Sequence, residues 1–350
     1  MQSATKTAAC DRATVLAGRK AVHTYDKRNR LTRTAFGDAS PAIDRTYTPD
    51  GLPATVKSGK STWTYGYNKR RLLELESLVY GATTYDIRRT YDANGSLSSL
   101  KYPGDATAVA YNPNALGEPQ QVGSYATSIT YHPNGAIAGF KYGNGIVRTM
   151  TQNARGLPQT AVDVGVLSDK YTYDENGNVL GIEDVAGGAT TRSMTYDGLD
   201  RLKTASAPNL WGLATYEYDG QDNLVASTIT GGANARSVTH AIDSLTNRLA
   251  SVTASNASFT FAYDYDVQGN IIRRGSRNYV FDVANRMSSA TSLATYEYDG
   301  HGRRVSVVGT DGVNRIQVYS QDGKLLYTTA GTGSATKYIY LHNHAIAEVK

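Results

Sequence analysis

The chain has 350 residues and a formal charge of +5, with 26 Tyr against 5 Phe and 2 Trp, and 34 Gly. Its single cysteine, Cys10, excludes an internal disulfide framework and a multi-cysteine metal site. Its basic residues are scattered in pairs, with Lys69-Arg70-Arg71 the only triplet, which excludes a nucleic-acid tail and a polybasic membrane patch.

Taken from the start, residues 1–24 read as a lead-in, an incomplete repeat. Residues 1–20 lack the apolar core of a signal peptide, and no apolar run anywhere reaches the roughly 18 residues of a membrane span. From Tyr25 a motif begins and returns along the chain. Its first members are Tyr25-Asp26 with Asn29-Arg30-Leu31, then Tyr47 with Gly51-Leu52. Fuller copies follow at Tyr91-Asp92-Ala93-Asn94-Gly95-Ser96-Leu97, Tyr131-His132-Pro133-Asn134-Gly135-Ala136-Ile137 and Tyr173-Asp174-Glu175-Asn176-Gly177-Asn178-Val179. The frame continues at Tyr196, Tyr218, Tyr265, Phe281 and Tyr298, each followed by Asp. Degenerate members at Tyr67, Tyr111, Gln152, Ile242, Tyr319 and Tyr340 fill the gaps, giving sixteen anchors between 25 and 340 with a mean period of about 21 residues.

Each position has a physical role. The anchor Tyr ends an alternating strand, such as Ala214-Thr215-Tyr216-Glu217-Tyr218, where a ring can pack while its hydroxyl reaches a polar partner. The Asp that follows opens a turn and can accept a bond from the main chain two residues on. Gly, Asn or Asp three residues later suits a type I turn closed by a left-handed residue and a bulge. A polar residue and then Leu, Ile, Val or Met start the return strand. The stretch Leu72 to Leu78, which could pass for helix, is predicted as a return strand because it lies between two anchors. Gly187-Gly188 and Gly231-Gly232 are expected as turns between hairpins.

The predicted fold is therefore all-β: tandem hairpins, on the order of thirty strands, forming a spiralling, curled sheet or barrel-like wall, because open sheets rarely exceed about ten strands without curling. Residues 25–350 form one array without a linker, and its inner surface is expected to be polar.

The Tyr-Asp-x-x-Gly-Arg/Asn-Leu frame resembles the YD repeat of the Rhs family, which includes bacterial wall-associated proteins, the C component of insecticidal toxin complexes and teneurins. The resemblance covers nearly the whole chain. It implies a hollow β shell around a C-terminal toxin or other effector released by autoproteolysis. It also implies a secreted or cell-surface bacterial protein, whose partners are an enclosed effector polypeptide or other segments of the same Rhs protein. The sequence departs from that pattern at its end, Tyr340 to Lys350, which resembles the last strands before the family's self-cleaving core; the array is expected to stop short of core and toxin.

No catalytic, cofactor or metal residue is assigned. The Asp residues are read as turn-formers rather than acid–base pairs. Asp264-Tyr265-Asp266 begins like a calcium loop but has Gly275 where the bidentate Glu should stand. His342 and His344, two apart, would share a strand face and lack a third ligand. His23, His132, His240 and His301 are scattered, and Gly143-Asn144-Gly145 and Gly331-Thr332-Gly333 lack the rest of a phosphate loop. The expected function is a non-catalytic shell or scaffold segment. The alternative is a carbohydrate- or cell-surface-binding module using exposed Tyr rings.

Overall fold

A computed structural model of the chain describes residues 3–4, 20–232, 235–256, 258–331 and 333–350. Cys10 and most of the proposed lead-in lie outside these residues. Among the described residues there is no helix, and 32 strands follow one another, from Ser3–Ala4 to His344–Val349. The all-β tandem-hairpin reading holds. Leu73–Tyr80 is a strand, as predicted, and the two Gly-Gly pairs lie between strands.

The chain divides into two compact units. The first comprises residues 1–125 and 277–350; the second comprises 126–276. Within each, consecutive strands pair antiparallel in chain order.

The hairpin turns follow from the motif. Asp197 opens one: its Oδ1 accepts the backbone N–H groups of Leu199 at 2.9 Å and Arg201 at 3.0 Å. Asp26, Asp92, Asp219, Asp266, Asp282 and Asp299 accept the same two bonds, from residues two and four ahead. The main chain crosses back by Asp200 N–H to Asp197 O, 3.1 Å, and Asp197 N–H to Arg201 O, 2.9 Å. The residue between is left-handed, with φ of 59° at Asp200 and 64° at Asn29; in many other turns, such as those at Gly95 and Gly177, Gly fills it because no Cβ obstructs that conformation. At every anchor but Tyr111 the strand register shifts by a bulge.

The anchor at 111 sits two residues away from its predicted place. Asn114 does the work of the turn Asp, accepting Leu116 N–H at 2.9 Å and Glu118 N–H at 3.0 Å, while Pro113 and Pro119 bridge in the anchor pair's place. A Tyr in the right neighbourhood masked a frame carried by Asn. The histidines at 342 and 344 also differ from expectation. His342 has a φ of 51° in the turn that joins Ser334–Leu341 to His344–Val349, so the two do not share a strand.

Two staples connect successive repeats. The anchor hydroxyl reaches back to a carbonyl at the start of the previous return strand: Tyr47 to Leu31, 2.8 Å; Tyr91 to Leu73, 2.7 Å; Tyr218 to Leu202, 3.0 Å; Tyr265 to Leu249, 2.8 Å. The Arg before the return strand reaches forward instead. Arg201 Nε donates to Asp197 Oδ2 at 2.7 Å, while Nη1 donates to Asp219 O at 3.3 Å. Its guanidinium lies 4.7 Å from the centre of the Tyr218 ring; Arg30 over Tyr47 and Arg248 over Tyr265 repeat the arrangement. The motif thus encodes a turn and the joint to the next turn.

Candidate functional site: the seam of the first unit

In the first unit, strands from opposite ends of the chain face each other. The first run extends from Ala21–Tyr25 to Val109–Ala110, and the last run from Arg277–Phe281 to His344–Val349. The face between them is largely apolar. Leu78 and Ile87 of the first run and Val318 and Leu341 of the last are fully buried. Alternation along each strand sends these side chains to one face, and burying them on each other is what the two runs gain by docking.

The polar contacts in this seam are specific. Ser61–Tyr67 is the strand Ser-Thr-Trp-Thr-Tyr-Gly-Tyr, so Trp63 and Tyr65 point the same way; their rings stack at 6.3 Å between centroids. Opposite lies the turn Tyr298-Asp299-Gly300-His301-Gly302-Arg303. Asp299 Oδ1 receives His301 and Arg303 N–H, both at 2.9 Å, as in any repeat, but its Oδ2 accepts Trp63 Nε1–H at 2.9 Å across 236 residues of sequence. Both residues are 1% exposed. The Tyr65 hydroxyl meets His301 Nε2 at 2.5 Å.

Gly300 allows this approach. A Cβ there would stand 2.4 Å from Val56 Cγ1 and 3.2 Å from Ile43 Cγ2. Gly198 and Gly220 occupy the same motif position with nothing within 4 Å.

Further contacts extend the seam. Glu297 accepts from Tyr80 at 2.8 Å and from Lys60 Nζ at 2.7 Å. Tyr102 donates to Tyr338 O at 3.1 Å, Lys337 Nζ bonds Asp105 at 2.8 Å, and Val283 N–H donates to Asp38 at 3.1 Å. Beneath it, Glu76 is buried and ion-paired to Arg89.

Burial sets the protonation states. It pushes the Tyr65 and Tyr102 hydroxyls well above their ordinary range and Tyr111 up to about 12. The Glu76 carboxyl is raised by burial, opposed by Arg89. His301 is lowered by burial, with Asp299 opposing and Arg303 and Arg45 adding to the fall. A neutral imidazole can accept the hydrogen bond of the Tyr65 hydroxyl at Nε2.

Two clefts flank the seam. One, about 500 Å³, is lined by Asp38, Lys60, Tyr80, Phe281, Arg286 and Glu297 among others. The other, about 260 Å³, is lined by Arg89, Tyr102, Tyr111, Asp322, Lys324 and His342 among others. The carboxylates of both already have partners: Asp282 with Arg286, Glu297 with Lys60, Asp322 with Lys324. Among the described residues no group of three or more His, Cys, Asp and Glu is placed to hold a metal ion. Asp264 pairs with Arg273 at 2.6 Å rather than forming a cation loop with Asp266. The arrangement is chemically suited to fixing two runs of hairpins together.

Sequence reasoning singled out neither Trp63 nor Gly300, and it grouped Asp299 and His301 with their repeat-mates. The available signal was Trp63 itself, one of 2 Trp in the chain, alternating with Tyr65.

No protein-family model and no curated protein sequence matches the chain. Solved structures do match its fold. A crystal structure of TcdB2-TccC3-Cdc42 aligns with a TM-score of 0.63 at 14% identity, covering 92% of this chain and 21% of that one. TcdB2-TccC3 without its hypervariable C-terminal region gives 0.64 at 14% identity, over 91% and 21%. The Photorhabdus luminescens Tc holotoxin pore gives 0.61 at 14%, over 93% and 22%. The chain spans about a fifth of the length of those chains. The resemblance to YD-repeat shells therefore holds at the level of the fold.

Proposed function

We propose that this chain is a wall segment of a toxin-type YD-repeat shell, a non-catalytic scaffold that encloses or presents an effector polypeptide outside the cell. The observation that carries the reading is the seam. It joins hairpins 236 residues apart through a buried Trp–Asp bond, so the strip returns onto itself as a wall must. The likeness to TccC3-containing chains supports it at the level of fold. The staples between repeats support it mechanically, because several hairpins are tied to a neighbour by side chains as well as laddered to it. No helix among the described residues is long and apolar enough to cross a membrane.

The carbohydrate-binding alternative finds less support. The hydroxyls of Tyr47, Tyr91, Tyr196, Tyr218 and Tyr265, which a sugar would use, already donate to main-chain carbonyls. Arg guanidinium groups cover the rings of Tyr47, Tyr218 and Tyr265.

The test is electron cryomicroscopy of the protein expressed with its native flanking reading frame, combined with protease challenge. A curved β wall with enclosed, protease-resistant polypeptide that is not YD repeat is the expected result. A wall around solvent alone, with no effector encoded beside it, would refute the reading.

A further inference from the structure

The repeat breaks its own rule at one place. Across the bulge, the residue opposite the anchor is Leu, Ile, Val, Met, Pro or Ala in every described pair but one. The exception is Arg304, opposite Tyr298. A motif that reserves a position for packing and there carries a charge marks that position as serving something other than the fold.

The surroundings of Arg304 show what it is built for. Its Nε donates to Gln317 Oε1 at 3.1 Å, and the same oxygen accepts the Tyr319 hydroxyl at 3.4 Å. The guanidinium stands 5.3 Å from the centre of the Tyr296 ring. It is therefore held by one edge and one face. Among the described residues no carboxylate pairs with it, and its two terminal nitrogens make no hydrogen bond. Arg303 beside it, by contrast, gives both terminal nitrogens to the carbonyls of Ser320 and Gln321.

Arg304 lines a cleft of about 320 Å³ that runs over four adjacent strands, from Arg304–Gly309 to Ser334–Leu341. Arg315 and Gln317 of its lining alternate with the buried Ile316 and Val318, so the cleft lies on the face turned away from the seam. The lining holds two arginines and no carboxylate. Arg315 is neutralised from outside it by Asp311, which leaves Arg304 as the uncompensated charge. Thr328 and Thr336 face each other across their strands, and Ser334 stands at the end of the second. The hydroxyls of all three make no hydrogen bond within the described protein.

We infer that this cleft is a binding site for a tetrahedral oxyanion, the phosphate or sulfate group of a monoester. A guanidinium fixed in direction, with its outer edge free, makes two parallel charge-assisted bonds to such a group. A carboxylate has only two oxygens, which that edge alone satisfies. The hydroxyls of Thr328, Ser334 and Thr336 supply donors for the further oxygens that a tetrahedral ion carries. The volume is at the lower end of ligand pockets, about 300–1,000 Å³, and so holds the ion with a small part of the molecule that bears it.

Titration calorimetry of the full chain with sodium phosphate and with sodium sulfate, at low ionic strength, tests this. One site with a dissociation constant on the order of 1 mM is expected for the tighter ion. Arg304→Leu restores the residue type of the motif, so it should keep the circular dichroism spectrum while weakening binding at least about tenfold. Thr328→Val with Thr336→Val keeps the shape of both side chains and should weaken binding at least about threefold. Arg88→Leu removes the same charge from the first run and should bind as the wild type does. Sodium acetate should bind at least about tenfold more weakly than the tighter ion. Tighter phosphate assigns the site to a phosphate ester and tighter sulfate to a sulfate ester; either order supports it. Silence with both ions up to about 20 mM overturns the inference. So does unchanged binding in Arg304→Leu, acetate binding as tight as the tighter ion, or loss of binding in Arg88→Leu. The inference stands apart from the wall reading, since the cleft lies on a single run of strands and needs no enclosed polypeptide.

Discussion

Removing the Asp299 carboxylate should cost far more than removing the same carboxylate from any other Asp turn, and the difference can be worked from its contacts. Asp299→Ala loses the two backbone N–H bonds common to the motif and also strands Trp63 Nε1–H in a site 1% exposed. Loss of a capping-type carboxylate costs about 1 kcal/mol. An orphaned buried donor adds about 1–3 kcal/mol. The expected total is about 3 kcal/mol. Asp197→Ala, which loses the same turn bonds in a solvent-exposed setting, should cost much less. Trp63→Phe keeps most of the ring but removes the donor, so the pair forms a double-mutant cycle with a coupling energy of about 2 kcal/mol. Urea unfolding followed by circular dichroism supplies the four stabilities, and hydrogen exchange over Ser61–Tyr67 and Ala294–Tyr298 reports whether the seam opens locally. Additive costs, with coupling under about 0.5 kcal/mol, would show that the bond fixes nothing and would remove the central argument for the seam.

Gly300→Ala should destabilise by about 2–4 kcal/mol, because its Cβ would collide with Val56 and Ile43. Gly220→Ala, in the same motif position with open space around it, should be neutral or slightly stabilising by thermal unfolding. Tyr218→Phe should cost about 1 kcal/mol by losing the bond to Leu202 O, read by urea unfolding; no change would demote the staple to a passive contact. The depressed pKa of His301 means the fold prefers the neutral ring. Its contribution is present in full above the ordinary value of 6.5 and is lost as pH falls from there through the lower folded value. Stability of the wild type should therefore drop more than that of His301→Gln between neutral pH and pH 5, and parallel curves would exclude the histidine as the cause.

The repeat was legible because its chemistry is local. Asp197 bonds residues two and four ahead of it, and Asp200 supplies the left-handed backbone, so a window of seven residues contains the whole turn. The same locality explains the slip at Tyr111, where Asn114 replaces Asp and the Tyr lies outside the turn it seemed to anchor. The seam was illegible for the opposite reason. Asp299 and Gly300 match Asp219 and Gly220 letter for letter, and only the partner 236 residues away distinguishes them. The apolar face arises similarly: Leu78 and Val318 alternate as any half-buried strand would, and sequence does not say that the covered side meets another run rather than water.

The staples have a consequence for how the strip is built. Tyr218 needs only the carbonyl of Leu202 behind it, and Arg201 needs only the turn at Asp219 in the next repeat; neither waits for anything beyond the adjacent hairpin. A hairpin emerging from a ribosome or an export channel thus finds its template already folded behind it, and the array can grow in one direction without a long-range search. The Trp63–Asp299 bond belongs to another stage, since its two halves are separated by most of the chain. Local pairing and long-range closure are thus separate tasks: the hairpins can zip one by one, whereas the clasp has to find a partner that most of the chain keeps at a distance.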